Sequence, residues 1–265
     1  KNANRILELI NQLLDIRKID KGQMRIICAE TDLVGFIEDL YKTFDYQAEK
    51  RRIRFVFEHE MEKLPVWIDR NNFDKVLVNL LSNAFKYTPE DGEIRIYLSA
   101  GTDRKSCGPL SEYAEIKILD SGPGIDETKL EKIFERFYQM ENGHEGSGIG
   151  LSLVQRLVEL HHGQITLVSE VGKGSTFSIY IPQDKSAYST EELLGGSREP
   201  EEQRVYSTNA HDVYVDDTEI VELDSSEREE SGKHGTILIV EDNLEILEML
   251  EDIFAPIYHV YKATN

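Results

Sequence analysis

Cysteine is nearly absent: Cys28 and Cys107 are the two in 265 residues, without paired spacing or a Cys/His cluster. Neither a disulfide framework nor a zinc site is implied, and a reduced, cytoplasmic setting fits. No run of 18 apolar residues and no signal peptide occurs, so the stretch is expected neither to span nor to cross a membrane by itself, although a longer parent could be anchored in the inner membrane. Positive charge is scarce too. Thirty Lys and Arg face 50 Asp and Glu, a net charge of -20, which leaves no basic patch for a nucleic-acid backbone. A nucleotide bound with a cation stays compatible with that balance. The 40% apolar and 30% charged content is that of a soluble globular protein, and the length favours two domains over one.

Against this background Asn79 through Pro89 stands out. At about 100° per residue, Asn79, Asn83 and Lys86 fall within roughly 60° of one another on one helix face. Phe73, Val76, Leu77, Leu80, Leu81 and Ala84 repeat at helical spacing on the opposite, buried face. The stripe reads either as a solvated face with two ordinary asparagines or as a surface against which something polar sits.

In chain order, Ile6, Leu9, Leu13 and Ile16 mark a helix over residues 1 to 20 that packs on other helices. It starts abruptly and is expected to be part of a longer helix whose partner is missing or supplied by a second chain. Gly22 ends it, and Met24 to Cys28 read as a strand. Asp32 caps a helix to about Lys50, with Leu33, Phe36, Ile37, Leu40 and Phe44 buried, and Asp69 caps the helix of the polar stripe. Strands are expected at Arg54 to Phe57 and Val66 to Ile68, then at Glu93 to Ala100 and Tyr113 to Leu119 as neighbours, with a surface loop over Gly101 to Glu112.

Asp120 through Ile125 form a sharp turn directly after a strand. Gly122 and Gly124 allow a ligand close to the backbone, and the aspartate can accept hydrogen bonds from an exocyclic amine. A short helix is expected over Glu127 to Phe134. Residues 140 to 148 have the glycine-rich, apolar-poor composition of a mobile lid. Gly146 through Leu151 open a helix whose buried side is Leu153, Val154, Leu157, Val158 and Leu160, and its free amides suit phosphate oxygens. Strands over Gln164 to Val168 and Thr176 to Ile181 follow, joined at Gly172 to Gly174.

Between Asp184 and Lys233, 15 acidic residues face 5 basic ones, half the charge of the chain. This composition reads as a linker, in which Val213, Val215, Ile220, Val221 and Leu223 could add a transient strand or dock on a surface. Thr236 to Val240 form an apolar strand ending in Glu241 and Asp242, with a helix through Phe254 and a strand around Val260, the opening of a βαβ unit.

Four of these segments, in order, resemble the ATP-binding catalytic domain of sensor histidine kinases, within the group shared with gyrase-type and chaperone ATPases. Asn79 to Pro89 is similar to the N box, Asp120 to Ile125 to the first glycine box, Phe134 to Phe137 to the F box, and Gly146 to Leu151 to the second glycine box. Residues 1–22 resemble the end of the second helix of a dimerisation and phosphoacceptor hairpin, 23–183 the catalytic domain, 184–234 a linker, and 235–265 the start of a receiver domain. The whole resembles a fragment of a hybrid kinase.

The resemblance implies an α/β sandwich, a mixed sheet with helices on one face, binding ATP and Mg2+. It implies that Asn79 coordinates magnesium with Asn83 beside it, that Lys86 neutralises phosphate, and that Tyr87 packs near adenine. Asp120 would accept from the adenine amine, with Gly122, Gly124 and Ile125 in the same box and Ser175 near the base. Gly146, Gly148, Gly150 and Leu151 would wrap the phosphates, and Arg136 and Gln139 are candidates for the terminal one. Glu241 and Asp242 would bind magnesium in an intact receiver. Implied partners are ATP, the phosphoacceptor hairpin, the receiver and a second copy through the N-terminal helix.

Two departures qualify the match. Hydrolysing relatives place a glutamate four residues before the first asparagine, where this chain has Lys75, so bound ATP is expected to be hydrolysed poorly. The phosphoacceptor histidine is expected to precede Lys1, and the phosphorylatable aspartate to follow Asn265. His59-Glu60 imitates the phosphoacceptor motif but follows a strand inside the catalytic domain. His161-His162 ends a helix, which explains it better than metal binding. Two other readings stay open: a serine kinase of the anti-sigma type, and a dead nucleotide-sensing module.

Overall fold

The computed structural model describes residues 2–102, 112–139, 148–194, 236–240, 247, 254–255 and 258–263. The chain divides into two compact units, Lys1–Asp216 and Asp217–Asn265.

In the first unit the described elements are α1 (Asn2–Asp20), β1 (Ala29–Asp32), α2 (Leu33–Lys50), β2 (Arg54–His59), β3 (Pro65–Ile68), α3 (Arg70–Tyr87), β4 (Glu93–Gly101), β5 (Tyr113–Asp120), α4 (Gly150–Leu160), β6 (Gln164–Glu170), β7 (Gly174–Pro182) and α5 (Thr190–Leu194). A mixed five-stranded sheet runs in the order β2-β4-β5-β7-β6, and β1 pairs with β3 in a small ladder. Only the β2–β4 pair of the large sheet is parallel.

Strand register sorts the side chains by face. Ile96, Ile118 and Phe177 stand in one row, and Leu98, Ile116 and Ile179 in the next; all six are buried. The alternate residues Arg95, Tyr97, Glu115 and Lys117 are polar or charged and only half-buried, which is the mark of a sheet covered by helices on one face and wetted on the other. The covering helices supply Phe36, Ile37 and Phe44 from α2, Phe73, Leu77 and Leu80 from α3, and Leu153, Val154 and Leu157 from α4. Phe44 stacks on Phe85 with ring centroids 5.3 Å apart.

Both aspartate caps form. Asp32 accepts from the Val34 N–H and Asp69 from the Asn72 N–H, each such cap being worth about 1 kcal/mol. The other end of α3 is closed by Arg51, whose guanidinium donates to the carbonyls of Phe85 and Thr88 that have no intrahelical partner.

The strand expected over Met24 to Cys28 is instead irregular, and β1 begins at Ala29. The reason lies in its amides: Ile27 N–H donates to Asp69 Oδ2 at 3.1 Å and Cys28 N–H to Glu192 O at 2.7 Å, so neither serves a ladder. The helix expected over Glu127 to Phe134 is two 3-10 turns, Glu127–Lys129 and Lys132–Phe134. Leu160, expected in the buried face of α4, is half-buried. Leu13 and Ile16 of the α1 stripe are buried, with α1 lying against α4 of the same chain.

The first residues of the acidic segment are folded. Tyr188 is buried with Ile26 and Cys28 in one apolar cluster, with Leu193 packed against it, and its hydroxyl donates to His161 O at 3.0 Å. Burial pushes the Cys28 thiol up to about 12. Residues 195–235, with the expected strand formers from Val213 to Leu223, lie outside the described residues, as do 103–111 of the expected surface loop.

In the second unit β8 (Thr236–Val240) pairs in parallel with β9 (His259–Ala263). Leu247 and Phe254 are helical and buried, the arrangement expected of a βαβ opening. Glu241 and Asp242 lie outside the described residues.

Candidate nucleotide site

The site grows from the polar stripe of α3. The Asn79 Nδ2 donates to Lys75 O at 2.8 Å, which fixes the amide so that its oxygen is the end left for other partners. That oxygen faces the first residue of α4: a Cβ on Gly150 would lie 2.6 Å from Asn79 Oδ1. A side chain where α4 begins would therefore push the Asn79 amide aside, and the N–H groups of that helix end stand next to an amide oxygen. The preceding turn is equally close. Gly148 has φ +67°, and a Cβ there would approach the Phe137 backbone to 2.7 Å, while Phe137 N–H donates to Gly148 O at 2.9 Å. The F-box segment is thus tied by its backbone to the glycine turn. Phe137 itself has φ +64° and is half exposed.

At the other end, Asp120 is the last residue of β5 and pairs across the ladder with Ser175. Its Oδ1 accepts from Gly122 N–H at 2.9 Å. Burial holds its carboxyl above the usual range, while the hydrogen bonds from Gly122 and Ser175 oppose that rise. Three glycines make the turn possible. A Cβ on Gly122 would lie 2.7 Å from Asp120 Oδ1 and 3.1 Å from Tyr87 O, one on Gly124 (φ +70°) 2.0 Å from Glu170 O, and one on Gly174 (φ +106°) 1.8 Å from Asp120 O. Ser169 joins the pieces: its Oγ accepts from Ile125 N–H at 2.8 Å and lies 2.9 Å from Ser175 Oγ.

Among the residues singled out from the sequence, Asn79 and Gly150 meet, and Asp120, Gly122, Gly124, Ile125 and Ser175 meet, with the Tyr87 backbone bordering the second group. Lys86 Nζ lies 5.0 Å from the centre of the Tyr87 ring. Asn83 and Leu151 are half-buried on their helices, and Gln139 is exposed. Gly146 and the rest of the expected lid, residues 140–147, lie outside the described residues. Arg136 pairs with Asp20 of α1 at 2.5 Å, and Lys75 with Asp15 at 2.6 Å.

Sequence reasoning missed Ser169 and the two α1 carboxylates. The glycine turn at 172–174 was a signal for Ser169, since the residues flanking a tight hairpin turn face the neighbouring strand end; nothing in the α1 pattern pointed to Asp15 or Asp20. His161 is also more than a helix-end residue. It is buried, its Nε2 accepts from Asp69 N–H at 3.1 Å and its Nδ1 donates to Leu157 O at 2.7 Å, and burial lowers its pKa. No metal-holding group of His, Cys, Asp and Glu occurs among the described residues, and no described helix is long and apolar enough to cross a membrane.

Residues 68–185 match the family described as histidine kinase-, DNA gyrase B-, and HSP90-like ATPase. The chain is 33% identical over 271 residues to histidine kinase P4 of Formosa agariphila, covering 100% of this chain and 19% of that protein. It is 31% identical to the sensor histidine kinase TmoS of Ectopseudomonas mendocina, again over 100% of this chain but 26% of the relative. It therefore spans about a fifth to a quarter of the length of these curated relatives. Among solved structures, the catalytic domain of histidine kinase ThkA shares 30% identity at a TM-score of 0.53, with 62% of this chain and 100% of that one aligned. ThkA has also been solved in complex with a response regulator protein, TrrA.

Proposed function

The chain belongs to the histidine kinase group of these ATPases and carries their ATP-binding catalytic domain, and from that premise we propose that it binds Mg-ATP between α3 and the turn into α4 and transfers the γ-phosphoryl group to a histidine. The observation that carries this reading is the pairing of Asn79 and Gly150: an amide oxygen fixed outward against a helix N-terminus where glycine leaves it room. An oxygen donor suits magnesium, which takes its remaining ligands from phosphates and water. Magnesium bound there, with Asn79 as its protein ligand and Asn83 beside it, would offset phosphate charge.

The chain's own residues divide the rest of the work. The amides of Gly148 and Gly150, with those of Gly146 and Leu151, receive phosphate oxygens, and Lys86, Arg136 and Gln139 balance or orient the outer phosphates. The Asp120 carboxylate accepts from the adenine amine, with Ile125, Ser175 and Tyr87 bordering the base. In the transfer the bond between the γ-phosphorus and the bridging oxygen breaks, a phosphorus–nitrogen bond to an imidazole forms, and ADP leaves with the bonding electrons. Positioning and charge stabilisation carry such a step. Lys75 cannot activate water as a carboxylate would, so bound ATP is kept for the imidazole. The acceptor histidine belongs to a dimerisation hairpin of which α1 is a part. Residues 235–265 are the opening of a receiver to which the phosphoryl group is relayed, with Glu241 and Asp242 as its magnesium pair.

The test combines a magnesium-dependent ATP titration with labelling from radiolabelled ATP, using the chain alone and with a separately made hairpin carrying the histidine. Binding, no stable label on the chain alone, and acid-labile label on the hairpin are expected. Acid-stable label would point to a serine kinase, and absence of binding to a nucleotide-sensing module without a working site. A steady-state ATPase rate comparable to the hydrolysing relatives would contradict the role given to Lys75.

A further inference from the structure

Two cations flank the proposed phosphate end, and both are occupied by carboxylates of α1. Lys75 stands one helical turn before Asn79, and its carbonyl is the acceptor that fixes the Asn79 amide. Its ammonium meets Asp15 Oδ2 at 2.6 Å. Arg136 lies one residue before Phe137, whose amide is bonded to Gly148 of the glycine turn, and its guanidinium meets Asp20 Oδ2 at 2.5 Å. Asp15 and Asp20 are five residues apart on α1, so the pairs sit on neighbouring turns of the helix. The buried residues Leu13 and Ile16 lie between and beside them, and α1 lies along α4, whose first turn is the phosphate-facing one. The apolar contact holds the helix, and the carboxylates put negative charge where the chain otherwise offers cations to a phosphate.

We propose that Asp15 and Asp20 are internal stand-ins for nucleotide phosphates, so that α1 clasps the nucleotide site when it is empty and is released as ATP binds. This rests on the reading of the site given above. A triphosphate brings several negative charges to the Gly148 turn and competes with Asp20 for Arg136. Once that pair opens, α1 has lost one of the two ion pairs that tie it to these cations, the other being Asp15–Lys75. By linkage, whatever α1 docking costs ATP binding, ATP costs α1 docking by the same factor. The clasp therefore converts nucleotide occupancy into freedom of the helix that joins the catalytic domain to its hairpin.

The test uses the whole chain and its Asp15→Asn/Asp20→Asn double variant, with Glu131→Gln as a control for loss of one nearby surface charge. Isothermal titration with Mg-ATP should give the double variant about three- to tenfold tighter binding than the control, two partly exposed ion pairs being of that magnitude. Hydrogen exchange of the amides of residues 9–20 should quicken when ATP is added to the native chain, and should already be fast in the double variant without ATP. Equal or weaker ATP binding by the double variant, or α1 exchange that slows or stays unchanged on ATP addition, overturns the clasp while leaving the nucleotide reading in place. Absence of ATP binding by all three proteins overturns both.

Discussion

Asp120, Gly122, Gly124 and Ser175 come together because β5 and β7 are neighbours in one sheet and their ends are locked by backbone hydrogen bonds, whereas Asn79 and Gly150 come from two helices that meet through a side chain. At the strand end of the site, position is a property of the ladder, and glycine is demanded by backbone-to-backbone approach: the nearest atoms to a Cβ on Gly124 or Gly174 are carbonyl oxygens of Glu170 and Asp120. At the helix end, the nearest atom to a Cβ on Gly150 belongs to an amide that can rotate away. Damage to the first end should therefore appear as lost stability and damage to the second as lost affinity.

Gly174→Ala tests the strand end and carries the largest expected effect. Its φ of +106° is unsuited to an L side chain, and the added carbon would meet Asp120 O at 1.8 Å, so the hairpin and the strand end must separate. A cost of about 3–5 kcal/mol in unfolding free energy is expected, from backbone strain added to overpacking. Chemical denaturation measures it, and an unchanged midpoint would show that the close approach is not needed. ATP affinity should fall as well, because the moved carbonyl is that of Asp120 itself.

Gly150→Ala separates the two ends most cleanly. Alanine in place of glycine at a helix start gains up to about 1 kcal/mol of helix propensity, so the melting temperature should hold or rise. The added methyl displaces Asn79 Oδ1 and strains its bond to Lys75 O, and Mg-ATP binding should weaken by about tenfold or more, as expected for a displaced polar contact. Loss of stability without loss of affinity would reverse the contrast drawn between the ends.

The same contrast explains what could be read from the sequence. Helical spacing predicts the buried face of α3 except for Phe85: Phe73, Val76, Leu77, Leu80, Leu81 and Ala84 are all buried, and so is Phe85 between the polar positions 83 and 86. The turn glycines announce close backbone approach in the sequence itself. What escaped was tertiary partnership of polar groups. The segment after Pro182 reads as linker because its charge outweighs its few apolar residues, yet its start is anchored by the buried Tyr188 ring and hydroxyl, by Leu193 beside it and by the Glu192 carbonyl that accepts from Cys28. Met24 to Cys28 had the composition of a strand, but its amides were taken by Asp69 and Glu192. Asp15 and Asp20 sit on a helix whose pattern announced only its apolar stripe.

The helix end has one further support, and it makes the smallest and most pH-dependent prediction. His161, at the end of α4, accepts the Asp69 N–H that leads into α3, and its ring lies edge-on to Phe73 at 5.4 Å. It thus joins the start of α3 to the end of α4, while the middle of α3 meets the start of α4 at Asn79 and Gly150. An N–H donor on Nε2 requires that nitrogen to be unprotonated, and burial lowers the folded-state pKa below the ordinary 6.5. The unfolded chain therefore binds this proton at higher pH than the folded one. The contribution is fully present above pH 6.5 and is lost as pH falls from there towards the depressed folded value, with a slope of at most about 1.4 kcal/mol per pH unit for one proton. Carboxylates elsewhere titrate over lower pH, so the quantity to measure is the difference in urea unfolding between the native chain and His161→Gln at pH 7.5 and at pH 5.5. That difference should shrink at the lower pH, since glutamine cannot take up the proton. If it stays constant, His161 takes up its proton alike in the folded and unfolded chain, and its hydrogen bond from Asp69 does not depend on the neutral ring.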